Sequence, residues 1–268
     1  MTRKPLRILL QILLLGLLLS APSVAYADAI TMGSVSFSSL QITPAAGTIL
    51  FTPPTAATAT TQALNSFGNN DIDFSNTLPI AQANAGVPSA SASAMANATA
   101  FSANANSMSA ATVPCSNVTF CSSAVSFGVA SLSGTFVILG GTGNVNVTIS
   151  GLFTTLQSAM TDQFGLLAQS DVSYSIAVDD VLSFSNAFTV VAVGPNLSDQ
   201  QSRMDQITAA VSLQFNVPHT ISIEIRAQSL GINGASNEIP EPATVVLLFS
   251  GLGFMAGVVR KRRKSPSP

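Results

Sequence analysis

Apolar and polar residues alternate one by one through several stretches of this chain, the period that puts every second side chain on one face of a β-strand. Val145, Val147 and Ile149 alternate with Asn146 and Thr148. Val172, Tyr174, Ile176 and Val178 alternate with Ser173, Ser175 and Ala177, and Val211, Leu213, Phe215 and Val217 alternate with Ser212, Gln214 and Asn216. After Pro218, Ile221, Ile223 and Ile225 alternate with Thr220, Ser222, Glu224 and Arg226, which places that acid and that base together on a solvated face. Turn residues separate the runs. Gly140-Gly141-Thr142-Gly143-Asn144 predicts a hairpin between the apolar run Phe136–Leu139 and the next strand. Asp179-Asp180 marks another turn, and Gly194-Pro195-Asn196 opens a polar loop to about Gln206 with room for one short helical turn. Short strands, short turns and no clear amphipathic helix predict an all-β body, an antiparallel β-sandwich of jelly-roll-like form.

Residues 81–112 break the mixed pattern, since 23 of these 32 positions are Ala, Ser or Asn, and alanine fills every even position from Ala90 to Ala100. Alanine is the strongest helix former, and so biased a segment can also be weakly structured. Period two favours a strand, because a helix would scatter those alanines around its axis.

Both ends read as addressing segments. Residues 1–27 have a basic start (Arg3, Lys4, Arg7), an apolar stretch Ile8–Leu19, and small residues Ala25 and Ala27 where a signal peptidase needs them. The apolar stretch is shorter than the roughly 20 residues of a membrane span, so a cleaved signal is expected rather than an anchor. Setting the ends aside changes the charge. Between Asp28 and Ile239 only Arg203 and Arg226 are basic, against eleven Asp and Glu, so that stretch, the body 28–236 with its C-terminal flank, carries a net charge near −9 although the whole chain stands at −2. Such a surface repels nucleic acid and anionic lipid.

The residues that could carry chemistry are few. His219 is the one histidine and follows Pro218 in an apparent turn, where a lone histidine reads as a surface residue. No Ser-His-Asp set, G-x-S-x-G elbow or converging His/Cys cluster is legible, so neither an enzyme nor a cofactor is expected. Asp71 and Asp73, after Asn69-Asn70, form a small cluster of hard oxygen ligands and are weak calcium candidates. Asp179-Asp180 and the pair Asp199 and Asp205 are further acidic groupings of interest to glycoside hydrolysis. The competing explanation is that Asn and Asp favour turns because their side chains bond the local backbone. Cys115 and Cys121 would meet an oxidising compartment after export, and a disulfide closing so short a loop contributes about 2 kcal/mol if unstrained. Asn97, Asn117, Asn146 and Asn196 lie in N-x-S/T sequons, which arise readily by chance in a Ser/Thr-rich chain.

The C-terminal segment 237–268 is more specific. Pro240, Glu241 and Pro242 precede an uncharged, mostly apolar run from Ala243 to Val259, and Arg260, Lys261, Arg262, Arg263 and Lys264 follow at once. A single transmembrane helix of about 26 Å fits that run, and the basic cluster would hold the C-terminus in the cytoplasm. Motif, apolar run and basic cluster in this order resemble the PEP-CTERM sorting signal. The resemblance implies recognition by an exosortase-like, membrane-embedded enzyme and release of the tail. It also implies a Gram-negative host and association with exopolysaccharide or biofilm matrix. Two readings of the body follow. One is a structural or adhesive matrix protein whose Ser, Thr and Asn side chains face a sugar polymer. The other, ranked second, is a discrete carbohydrate-binding module, which would want exposed aromatics, whereas this body lacks Trp and has only Tyr174. A hydrolase is the third.

Overall fold

The structure, a computed structural model, describes residues 29–111, 123–162, 165–179 and 182–233. They belong to one compact unit, Tyr26–Ser236. The signal segment with Ala25 and Ala27, the pair Cys115 and Cys121, Asp180, and the whole tail with its Pro-Glu-Pro motif, apolar run and basic cluster lie outside the described residues.

The described residues form twelve strands: β1 (Ala29–Pro44), β2 (Thr48–Asn65), β3 (Asn70–Ser75), β4 (Ile80–Val87), β5 (Ala90–Asn97), β6 (Ser102–Ala111), β7 (Ser123–Leu139), β8 (Asn144–Thr161), β9 (Gly165–Val178), β10 (Leu182–Val193), β11 (Ser198–Gln214) and β12 (Pro218–Asn233). They make two six-stranded sheets. Sheet A has the order β11-β8-β1-β6-β5-β4, and sheet B the order β10-β9-β12-β7-β2-β3. Every pairing described is antiparallel, and the sheets stack as a β-sandwich. β7 pairs with β12, β8 with β11 and β9 with β10, the nesting of one long hairpin rolled across both sheets.

Alternation fixes which face of each strand is buried. Val145, Val147 and Ile149 point inward from β8, Val172 to Val178 from β9, and Ile221 to Ile225 from β12. The glycine-rich turn at Gly140–Gly143 behaves differently from the hairpin predicted. It carries the chain from sheet B to sheet A, because the apolar faces of β7 and β8 meet across the core rather than side by side. Gly140 and Gly143, at φ +95° and +75°, turn that corner. The polar stretch after Gly194 also differs. Its turn is short, no helical turn forms, and Ser198 opens β11, which pairs with β8 from Ser198 opposite Met160. The first half of β11 lacks apolar alternation because an edge strand there buries neither face deeply, so backbone hydrogen bonding carries it.

The alanine-rich segment is β4, β5 and β6, with its strand alanines, Ala110 excepted, turned inward as period two requires. Short side chains let the sheets approach closely: a Cβ on Gly128 of β7 would stand 2.8 Å from the Ser93 carbonyl oxygen of β5. Near the end where the chain enters at Ala29 and leaves at Asn233, small polar side chains stitch the sheets together. The Ser107 and Ser229 hydroxyls lie 2.9 Å apart, Ser170 donates to Met32 O at 2.9 Å, and Thr31 donates to Gln169 O at 2.9 Å. Further along, the core thickens with Phe37, Phe153, Ile176 and Ile223, where burial of each large side chain contributes about 1.5–3 kcal/mol.

Candidate functional site

An open sandwich has two long seams where its sheets end, and unpaired strand edges there invite association with other chains. Five of the ten Asp, Glu and Arg side chains among the described residues sit at those seams. At one, β3 closes sheet B and β4 closes sheet A. Asp71 and Asp73 project from the same side of β3, and Asp71 accepts the Gly86 N–H at 2.8 Å while Asp73 accepts the Asn84 N–H at 2.8 Å. The two-residue spacing of the aspartates thus matches that of the β4 amides. The structure brings the calcium candidates together, but as acceptors for a strand edge. Among the described residues no group of three or more His, Cys, Asp or Glu converges as a metal site would.

At the opposite seam, between β10 and β11, inward positions of β11 carry Asp199, Arg203 and Asp205. The Tyr174 hydroxyl donates to Asp205 at 2.9 Å, and the Arg203 guanidinium lies 4.4 Å from the centroid of the Phe188 ring. Tyr174 is buried and stacks on Phe153 with centroids 4.1 Å apart. Burial, reinforced by the hydrogen bond to Asp205, pushes its phenol up to about 12. Tyr174 is therefore no exposed sugar platform. Its place in an alternating apolar run with Val172 and Ile176 was the signal for burial. Asp199 and Asp205 stand about 20 Å apart along their strand and form no pair.

His219 departs from the surface position expected of it, being 4 % exposed at the start of β12. It has the same parity as Ile221 and Ile223, so the alternation already placed it inward. Nδ1 faces the Asp179 carboxylate, Nε2 lies 2.8 Å from Gln214 O, and the ring packs on Phe136. Both ring nitrogens thus face oxygen atoms, which hold the ring in place. Asp179 also accepts the Thr220 N–H at 2.6 Å and the Thr220 hydroxyl at 3.0 Å. Burial alone would raise the Asp179 carboxyl, but the bonds from His219 and Thr220 outweigh it and hold the group below its ordinary 3.8. This cluster clamps the β9–β10 turn to the β11–β12 turn.

The outer faces differ from the seams. On sheet B, Thr58, Ser131, Glu224, Ser175 and Ser185 lie side by side across five strands. Ser133 and Ser222 flank that row, and with Thr58, Ser131, Ser175 and Glu224 they line a shallow depression of about 190 Å³. Arg226 projects beside Glu224 and donates to Gln228 at 3.0 Å. The outward positions of sheet A carry no Asp, Glu, Lys, Arg or His and no aromatic ring. An apolar cavity of about 850 Å³, lined by Leu40, Phe51, Leu78, Pro79 and Phe101 among others, opens near the β5–β6 turn.

Residues 238–264 match the family model described as the PEP-CTERM protein-sorting motif. The chain carries a PEP-CTERM sorting signal. That signal implies export and processing by an exosortase-like system. The PEP-CTERM match covers the tail and leaves the body to be read from its own geometry. A search of curated proteins finds no match. Among solved structures, the N-terminal CBM22-1-CBM22-2 tandem domain of Paenibacillus barcinonensis Xyn10C aligns at 8 % identity and TM-score 0.13, covering 79 % of this chain and 80 % of that one. Vicilin from Capsicum annuum aligns at 8 % identity and TM-score 0.11, covering 79 % and 73 %. At those scores neither alignment bears on fold or function.

Proposed function

We propose that this chain is a non-enzymatic structural or adhesive protein of a Gram-negative cell surface or extracellular matrix. In this reading a signal peptide exports it, the tail holds it at the inner membrane as an intermediate, and an exosortase-like enzyme releases it among exopolysaccharide. The observation that carries the reading is the PEP-CTERM motif at residues 238–264. Two features of the body support it. The nested strand pairing, which we read as jelly-roll-like winding, gives a rigid scaffold. The transverse row Thr58, Ser131, Glu224, Ser175 and Ser185 offers hydroxyls and one carboxylate over about 19 Å, a layout suited to hydrogen-bonding an extended hydroxylated polymer. His219 and Asp179 are occupied with each other and with backbone groups, which favours a structural role over proton transfer.

Intact-mass and C-terminal peptide analysis of the protein from its native host tests the reading. Loss of everything from near Pro240 supports processing and release. A mass that retains Val259 and the basic run makes the protein a permanent membrane protein and ends the matrix assignment. The depression at Glu224 favours a second reading, a discrete carbohydrate-binding module. Saturable binding to one purified glycan, lost on Glu224→Ala, would select the module; weak binding spread over many glycans would select the matrix protein.

A further inference from the structure

All five methionines among the described residues project from the outer face of sheet A. They are Met32 on β1, Met95 on β5, Met108 on β6, Met160 on β8 and Met204 on β11, and they range from 38 % exposed (Met95) to 71 % (Met204). Met32 and Met108 stand directly opposite each other across β1 and β6, and Leu156, 38 % exposed, lies close by on β8. Between these apolar side chains the face is filled by Ser, Thr, Asn and Gln, with no charge anywhere on it. Methionine is flexible and polarisable, and it is overused where a surface must adapt to a partner.

We propose that a second copy of this chain packs on the outer face of sheet A. The inference goes beyond the matrix reading and does not rest on it. Charge selects the occupant first. The body is strongly acidic, so two copies repel over most orientations, and among the described residues the one broad surface on which they can meet without opposing carboxylates is this face. Area comes second. At about 4.8 Å per strand and 3.3 Å per residue, the six strands present on the order of 1,000 Å², against about 800 Å² per partner in a standard interface. Chemistry comes third, since five exposed, flexible methionines suit an adaptable apolar contact with protein. The pairing is isologous, each face being its own complement.

The test uses the full chain in mild detergent, with peroxide oxidation of methionine as a footprint. At micromolar concentration the chain has twice its monomer mass by light scattering. On dilution the oxidation rates of Met32 and Met108 rise together as the dimer dissociates. Ser34→Glu puts a carboxylate at the middle of the face, on β1 opposite Asn106 and Leu156. Two like charges then meet across the axis and weaken self-association by about a hundredfold. Thr60→Glu, on the outer face of sheet B opposite Val129 and Phe74 and away from the Glu224 row, leaves mass and protection unchanged. The proposal is overturned by a monomeric chain, by methionine oxidation that is independent of concentration, or by a dimer that Ser34→Glu leaves intact, since that dimer would be held elsewhere. Protection that appears only when exopolysaccharide is added to a monomer gives the face to a glycan and equally overturns it. None of these readouts depends on whether the tail is removed.

Discussion

Replacing Gly128 with alanine adds one methyl group at a point where the two sheets touch backbone to backbone. A Cβ there would lie 2.8 Å from the carbonyl oxygen of Ser93 and 3.0 Å from that of Asn106. Both oxygens belong to strands held by hydrogen bonds, so no side-chain rotation relieves the clash. The sheets must part by several tenths of an ångström, and the contacts made nearby by Ala94, Ala105 and Ala130 in the same core loosen with them. Such overpacking costs about 1–3 kcal/mol, and the lower unfolded-state entropy of alanine offsets about 0.5–1 kcal/mol of it. From the middle of each range the net loss is about 1 kcal/mol, which in a body of this size lowers Tm by roughly 2–4 °C. Gly86→Ala is the matched control. It is the same substitution in an exposed strand position with nothing within 4 Å of the new Cβ, and it should raise stability by about 0.5–1 kcal/mol. Circular dichroism of thermal and denaturant unfolding reads both. A Gly128→Ala protein as stable as the parent would refute the close approach of the sheets at the alanine-rich strands, and with it the account of why that segment is so poor in large side chains.

Other consequences concern the seams and the clamp. Asp71→Ala with Asp73→Ala leaves the Asn84 and Gly86 amides without their carboxylate acceptors, at about 1 kcal/mol for each bond. Amide hydrogen exchange at those two positions should accelerate, while calcium or a chelator should not move the Tm of the parent. Asp179 is held below 3.8 in the fold, so its contribution is fully present above that value and is lost as pH falls through the lower folded value. The stability gap between parent and Asp179→Asn should therefore be constant near neutrality and shrink below about pH 3.8; a gap unchanged at low pH would sink this assignment. The phenol of Tyr174 is raised to about 12, so its stabilising effect is complete below the ordinary 10.0 and fades as pH climbs from there towards 12. Ultraviolet titration should place phenolate formation near 12, and Asp205→Ala should bring it down.

Much of the fold was legible because alternation reports burial directly. The strands around Val145, Val172 and Ile221 needed nothing else, and the alanines of β5 fell on one face as their spacing required. Alternation does not say which sheet a strand joins. Gly140–Asn144 therefore reads as a hairpin when it is a corner, since both arrangements bury the same side chains. The first half of β11 was hidden for a different reason. Its residues Ser198–Ser202 have no apolar rhythm and owe their strand form to hydrogen bonds with β8, a partner some forty residues earlier in the chain. The sorting tail was readable because its chemistry is linear: a motif, an apolar run and a basic cluster in fixed order. The occupations of Asp71, Asp73 and Asp205 were not, because each acts across a seam on a strand that sequence spacing does not place opposite it. His219 lies between these cases, since parity with Ile221 pointed inward while the neighbouring proline suggested an exposed turn.

The distribution of charge also constrains what an assembly of these chains can be. Carboxylates and Arg203 occupy the seams, which disfavours growth by strand addition and so opposes edge-to-edge fibres. The sheet A face, in contrast, is neutral, and a face that pairs with itself closes at two copies instead of propagating. A dimer formed this way turns both of its sheet B faces outward, on opposite sides, each with its row of Thr58, Ser131, Glu224, Ser175 and Ser185. If those rows bind a hydroxylated polymer, as proposed, the dimer is divalent for it. Two weak sites on one rigid body link separate polymer chains, and avidity on one chain can exceed single-site affinity by about a hundredfold or more. The consequence separates the two faces experimentally. Ser34→Glu should abolish thickening of an exopolysaccharide solution, read by rheology, while leaving binding at single sites intact, and Glu224→Ala should weaken both. If the Ser34→Glu protein thickens the polymer as well as the parent does, linkage does not run through the dimer, and the matrix role must be carried by a single body.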